Sequence, residues 1–223
     1  MDTGYYEAAL GSMQQLIRQK VNANNLANAA TVGFKKTDVE FSDYLVMSSR
    51  TDFESGPIHQ TGGALDMAIV GKGFFAVDTP DGTRYTRAGN FMLNSEGTVV
   101  TRNGDPVLSS GGSLTLPTSD VSVQPDGKII RGKEVLGEMQ VVYFDKPEEL
   151  IPVGNNYFKN DPNTNPEKPA EDFHIQQGSI EGSNVNIVSE LVDLIDIYRT
   201  FEAQQKTLKY FDQMNGQVIE KAV

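Results

Sequence analysis

The chain has 223 residues and no cysteine, and its 19 basic against 30 acidic side chains leave a formal net charge of −11. Without cysteine, neither disulfides nor thiolate zinc sites can hold the fold. The negative balance disfavours nucleic-acid binding, which needs clustered lysine and arginine, and the sequence has no apolar run long enough for membrane insertion.

An amphipathic helix is predicted at the N-terminus, in residues 1–36. Its apolar side chains recur every three or four residues, as on one face of a helix: Tyr6, Leu10, Met13, Ile17 and Val21. Gly33 is expected to stop this helix. The first ten residues lack the charged and apolar regions of a secretory signal, so we expect no cleaved signal peptide.

Four asparagines lie within seven residues near the end of this helix: Asn22, Asn24, Asn25 and Asn28. Asparagine is a weak helix former, so the cluster lowers local helix stability. Two interpretations remain open. The asparagines mark a fraying helix end that enters a turn, or they bond across an interface and set its register, as a buried asparagine does in coiled coils.

Residues 37–61 are predicted as a connecting segment, and residues 62–177 as a mostly antiparallel β domain. All ten prolines lie between Pro57 and Pro169, which disfavours helix there. Short apolar runs are separated by turn dipeptides whose glycines supply the positive φ of tight hairpins. These dipeptides are Asp81-Gly82, Glu96-Gly97, Asn103-Gly104 and Asp126-Gly127.

A longer helix is predicted in the C-terminal segment, residues 178–223, with Ser183 or Asn184 as its N-cap. Val188, Leu191, Ile195, Tyr198 and Phe201 begin a stripe with steps of three or four. About eight turns at 1.5 Å per residue give a helix of roughly 50 Å, which needs a partner along most of its length. We therefore predict an α+β fold in which the terminal helices pair as a coiled coil.

The sequence predicts no enzyme, cofactor or metal site. His59 and His174 are the only histidines, and no serine lies in a glycine-flanked nucleophile elbow. Two other classes stay open at this point. One is an extracytoplasmic carbohydrate-active enzyme that uses acidic residues of the β domain, and the other is a surface adhesin.

Three motifs in chain order carry a family resemblance. Asn24-Asn25-Leu26-Ala27-Asn28, with Thr31, Gly33, Phe34 and Lys35, resembles the N-terminal signature of flagellar rod and hook proteins. The middle and the tail are also similar to this family, through Asp66-Met67-Ala68-Ile69, Gly71-Lys72-Gly73-Phe74-Phe75, Tyr85-Thr86-Arg87 with Gly89, Gly178–Val185, Glu190-Leu191-Val192 and Arg199.

The resemblance implies a structural subunit of the bacterial flagellar basal-body rod. In such proteins the terminal helices form a coiled coil that packs into a tubular core, with the β domain outside. The resemblance also implies export through the flagellar type III apparatus without a cleaved signal, assembly in the periplasm, and partners that are other rod proteins and copies of the same chain. We expect the free terminal segments to be largely disordered and to fold on assembly.

Ten residues are predicted to form the assembly interface: Met13, Ile17, Asn24, Asn25, Asn28, Val188, Leu191, Ile195, Tyr198 and Phe201. Only about 28 residues separate Phe34 from Gly62. A short connection offers little surface for bracing axial neighbours. We therefore expect a proximal rod subunit, similar to the F type, with a distal rod or hook-type axial protein as the alternative.

Overall fold

The computed structural model describes residues 2–42 and 46–221. In chain order, one long helix precedes a β-rich middle and a second one follows it: α1 is Asp2–Ala27 and α2 is Ile187–Lys221. The predicted α+β class, with terminal helices and an antiparallel β domain, is confirmed. The chain divides into a helical unit (Met1–Asn28, Thr37–Arg50, Val185–Val223) and a β unit (Ala29–Lys36, Thr51–Asn184).

The first helix is shorter than the predicted segment of residues 1–36. It ends at Ala27, and the backbone N–H of the next residue, Asn28, is shared between the carbonyl oxygens of Asn24 and Asn25, both at 3.1 Å. The side chain of Asn28 also donates to the Asn24 carbonyl oxygen, at 2.9 Å. These bonds satisfy carbonyl groups that a helix end otherwise leaves open.

The second helix starts later than its predicted N-cap. Asn186 precedes the first helical residue, and its Oδ1 accepts from the backbone N–H groups of Val188 and Ser189 at 3.0 and 3.2 Å. The N-cap is therefore Asn186, and the prediction of Ser183 or Asn184 was wrong. Asn184 instead serves the β unit, where its side chain accepts from the Lys36 backbone N–H at 2.7 Å.

Short strands also occupy the segment predicted as a connection, residues 37–61. Two of them, β1 (Thr37–Ser42) and β2 (Val46–Thr51), pair with each other. The remaining strands are β3 (Ile58–Gln60), β4 (Met67–Gly71), β5 (Phe74–Thr79), β6 (Gly82–Thr86), β7 (Met92–Leu93), β8 (Val99–Val100), β9 (Leu108–Ser109), β10 (Gly112–Ser113), β11 (Ser122–Val123), β12 (Lys128–Arg131), β13 (Glu134–Glu138), β14 (Val141–Tyr143), β15 (Ile151–Gly154), β16 (Tyr157–Lys159), β17 (Lys168–Pro169), β18 (Phe173–Gln177) and β19 (Ser179–Glu181).

The centre of the β unit is an antiparallel six-stranded sheet in the order β15-β16-β6-β5-β14-β17. Strand β5 is buried on both faces, as its continuous apolar run requires. Phe75 and Val77 belong to the larger apolar cluster, while Phe74 and Ala76 belong to a second one. The sheet therefore separates two cores.

Turn chemistry follows the sequence closely in this unit. The glycines of all four predicted turn dipeptides have positive φ; Gly97 at 81° and Gly127 at 92° are two of them. Smaller antiparallel sheets complete the unit, including β11-β12-β13 and the pairs β4-β18 and β3-β19. Neither helix, over its described residues, is long and apolar enough to cross a membrane.

Candidate assembly interface

The helices α1 and α2 lie side by side and run in opposite directions. Residues taken forwards along α1 meet residues taken backwards along α2: Gly4 meets Phe211, Gly11 meets Gln204, Gln19 meets Tyr198, and Asn22 meets Glu190. Both glycines lie against side chains of α2: an added Cβ would stand 3.1 Å from the Phe211 ring at Gly4 and 2.5 Å from the Gln204 side-chain amide nitrogen at Gly11.

The contact seam between these helices is small and polar on the α1 side, whereas the less exposed residues of α2 are mostly apolar. On α2 most of the less exposed residues alternate in steps of four and three, which is a heptad spacing. They are Glu190, Leu194, Ile197, Phe201, Gln204, Leu208 and Phe211, and Gln205 is less exposed as well. The residues of α1 with a defined contact to α2 are small or polar: Gly4, Gly11, Gln19 and Asn22. Small residues permit close approach but bury little apolar area.

The apolar stripe of α1 is largely absent from this seam. Tyr6, Met13 and Leu16 are each at least half exposed, with Met13 at 56%. Leu10, Ile17 and Val21 are half-buried. An isolated helix pair would be expected to turn such a stripe towards its partner helix. In this chain the stripe faces elsewhere.

The predicted stripe of α2 changes face along its length. Val188, Leu191, Ile195 and Tyr198 are exposed, and Val188 is the most exposed at 71%. Phe201 instead belongs to the seam with α1. Two successive steps of three, from Ile195 to Phe201, rotate the pattern away from one face because a helical turn needs 3.6 residues.

The four asparagines have three different roles. Asn25 is 1% exposed; it exchanges two hydrogen bonds with the backbone of Thr37 and donates to Glu190. Asn22 is also buried and donates to Glu190. Asn28 caps the helix end, and Asn24 is exposed. The sequence could not identify Glu190 as the common partner, because it is 165 residues away from Asn25.

The ten predicted interface residues therefore occupy different environments. Met13, Asn24, Val188, Leu191, Ile195 and Tyr198 are exposed; Ile17, Asn28 and Phe201 are half-buried; Asn25 is buried. Leu16, Ile187 and Val192 are exposed apolar neighbours that the prediction did not include. Helical periodicity groups residues by face, but it does not say which face of the helix is buried.

The three sequence motifs meet inside the β unit at one buried carboxylate. Glu181, 1% exposed, accepts from Lys35 Nζ at 2.7 Å, from Arg87 Nε at 2.8 Å and from the Gly56 backbone N–H at 2.9 Å. Arg87 also donates to the carbonyl oxygens of Ile69, Gly71 and Gly73. Lys35 also donates to the Glu54 carbonyl oxygen, at 2.6 Å.

This cluster is a structural joint and has none of the features of a reactive site. Burial lowers the pKa of Lys35 from its ordinary 10.5, and the Glu181 carboxylate opposes that shift. All three charged side chains are almost fully buried, so no substrate can reach them. Within residues 2–42 and 46–221, no group of three or more histidine or acidic side chains could hold a metal ion.

Three family models match the chain in the same order as the motifs. They are described as flagella basal body rod protein (residues 6–35), flagellar hook protein FlgE/F/G D1 domain (residues 68–131) and flagellar basal body rod FlgEFG protein C-terminal (residues 176–220). Together they include most of α1, strands β5 and β6 of the central sheet and most of α2.

Whole-chain relatives agree with these matches. The chain is 34% identical to the flagellar basal-body rod protein FlgF of Caulobacter vibrioides, over 99% of the chain and 98% of the relative. It is 30% identical to FlgG of Agrobacterium fabrum, over 93% and 94%, and 30% identical to FlgG of Bacillus subtilis, over 96% and 97%. The chain belongs to the flagellar basal-body rod protein family, whose members are structural proteins and not enzymes.

Proposed function

We propose that copies of this chain polymerise with one another and with other rod proteins through their terminal helices. The proposal rests on how the helix pair distributes its polar and apolar side chains. Its internal seam is small and polar on the α1 side, while apolar stripes of both helices are exposed. Burying the exposed part of one such side chain contributes on the order of 1 kcal/mol, so several together favour association.

The two stripes also explain how a subunit can meet more than one neighbour. Met13 and Leu16 lie on α1, whereas Val188, Leu191 and Ile195 lie on α2. Contacts between different surfaces of successive subunits generate a helical array when the rotation between subunits does not close a ring. In that array the heptad seam of α2 pairs with α1 as a coiled coil, and the free terminal segments gain their full order.

A proximal rod position is favoured over a distal one. Relatives named FlgF are 33–34% identical to this chain, whereas those named FlgG are 29–30% identical. The connection between Phe34 and Gly62 is also short. Both points support the F type, and therefore a subunit present in few copies.

The proposed location is the periplasmic part of the basal body. The subunit reaches it unfolded, through the flagellar type III export apparatus and without a cleaved signal. The cysteine-free composition supports this route, because no thiol can form a wrong disulfide during folding in an oxidising compartment.

The decisive experiment places one charge on the exposed stripe. Ile195→Lys should abolish swimming in a strain that lacks the wild-type gene, since a buried lysine in the assembled interface would have no partner. Thr200→Lys is the matched control, because Thr200 is exposed on the same helix but outside the stripe. Counting subunits in images of isolated basal bodies tests the position: about one helical turn supports the proximal rod, and dozens support the distal rod.

Normal swimming by the Ile195→Lys strain would refute assembly through this stripe. Loss of swimming in both strains would show that any added charge on α2 is harmful. Circular dichroism of the two purified variants separates an assembly defect from a loss of helix.

A further inference from the structure

A buried polar network joins three elements at one end of the helix pair. Glu190 is 2% exposed, and its Oε2 accepts from Asn22 Nδ2 at 2.8 Å and from Asn25 Nδ2 at 3.4 Å. Asn25 Nδ2 also donates to the Thr37 carbonyl oxygen at 2.9 Å, and Asn25 Oδ1 accepts from the Thr37 N–H at 3.0 Å. The network therefore connects α1, α2 and the first residue of β1.

The rest of the seam does little to define how the two helices align. Gly4 and Gly11 are seven residues apart, so they present the same surface to α2 after a slip of one heptad. Such a slip would bring Gly11 opposite Phe211, where Gly4 now lies. Glycine has no side chain, so neither position carries a group that would specify one alignment over the other.

The polar network, in contrast, fits one alignment only. The slip that brings Gly11 opposite Phe211 also moves Glu190 beyond the end of α1 at Ala27. It brings Asn22 opposite Ile197. In the other direction Asn22 moves beyond the start of α2 at Ile187. Either slip separates the Glu190 carboxylate from Asn22 and Asn25. A buried polar group that loses its partners is costly, most of all when it carries a charge.

We propose that Glu190 is the residue that sets the register of the terminal helix pair, with Asn22 and Asn25 as its donors. Buried polar groups have this role in coiled coils, where they favour one alignment at some cost in stability. A change of register would also move the exposed apolar stripes of the two helices relative to each other. One heptad of slip displaces the apolar stripe of α1 by about 10 Å along that of α2, so neighbours would meet a different surface.

The test uses cysteine pairs, because the chain has no cysteine of its own. Gly11→Cys with Gln204→Cys reports the observed register. Gly11→Cys with Phe211→Cys reports one slip, and Gly4→Cys with Gln204→Cys reports the other. Each pair is made in the full chain and in a variant carrying Asn22→Leu and Glu190→Leu, which removes both partners and leaves no orphaned group at either position. Glu190→Gln is the control, since its amide oxygen still accepts hydrogen bonds.

Under equilibrium oxidation, the intrachain disulfide of the observed register should dominate in the parent and in Glu190→Gln. In the double leucine variant the ratio of observed to slipped disulfides should fall by at least about fivefold. An unchanged ratio would overturn the proposal, and so would a parent chain with no preference among the three pairs. The measurement is made within single chains, so its failure is distinct from a failure of assembly through the exposed stripes.

Discussion

The helical unit and the β unit distribute polar and apolar side chains in opposite ways. In the β unit, two apolar clusters fill both faces of the six-stranded sheet, and the buried charges of Lys35, Arg87 and Glu181 satisfy one another. In the helical unit, the α1 side of the seam is small and polar. Among the described residues, twelve of the seventeen exposed large hydrophobic side chains belong to this unit, although it is the smaller of the two.

This difference indicates which part of the chain is complete by itself. The β unit buries most of its large apolar residues in its two clusters. The helical unit leaves many of its apolar residues exposed, and these gain free energy when another surface covers them. The proposed assembly depends on this difference, because the exposed apolar surface of the helical unit is covered only when another subunit binds.

The largest expected effect concerns the buried ion cluster of the β unit. Glu181→Leu leaves the Lys35 and Arg87 charges buried without their carboxylate, so we expect a loss of about 3–5 kcal/mol in the free energy of unfolding. Urea denaturation followed by tyrosine fluorescence measures it. Lys128→Ala removes only the exposed pair with Asp126 and should leave the midpoint unchanged. A loss below about 1 kcal/mol for Glu181→Leu would mean that the β unit does not depend on this joint.

A smaller effect is expected from the asparagines of the helical unit. Asn25→Leu breaks the bonds to Thr37 and Glu190 and should lower the stability of the end of α1 by about 1–3 kcal/mol. Asn24→Leu is the matched control: Asn24 is exposed, and leucine has the higher helix propensity. Hydrogen exchange of the last turns of α1 reports both. Equal protection in the two variants would show that the buried network adds nothing to local stability.

The smallest expected effect is on stability at alkaline pH, and it concerns the β unit. Burial, with a hydrogen bond to Glu167, raises the pKa of Tyr85 above its ordinary 10.0. The folded β unit therefore holds this proton more tightly than the unfolded chain. Its contribution to stability is complete below pH 10 and is lost as pH rises further.

Tyr85→Phe should consequently cost about 0.5–1.5 kcal/mol at neutral pH and make the alkaline loss of stability less steep. Urea midpoints measured from neutral to strongly alkaline pH give both quantities. Tyr210→Phe, on an exposed position of α2, is the comparison variant and should leave the curve of the β unit unchanged. Parallel curves for the parent and Tyr85→Phe would assign the alkaline transition to other groups.

Local chemistry in the sequence determined many of the elements, but not the bounds of the two helices or the strands of residues 37–61. Proline-free ends predicted the two helices, and Gly97 and Gly127 have the positive φ that their turn dipeptides imply. The continuous run from Phe74 to Val77 became a strand buried on both faces. These features depend on backbone conformation over a few residues, so neighbouring residues are enough to predict them.

The tertiary structure alone decided which partner each face would meet. Helical periodicity predicted an apolar stripe on α1, yet the face towards α2 carries Gly4, Gly11 and Asn22. Glu181 joins Lys35 and Arg87 although the three lie far apart in the chain, and Glu190 does the same for Asn22 and Asn25. Periodicity specifies that a face is apolar or polar, but the contact made by that face depends on long-range packing, which no local pattern encodes.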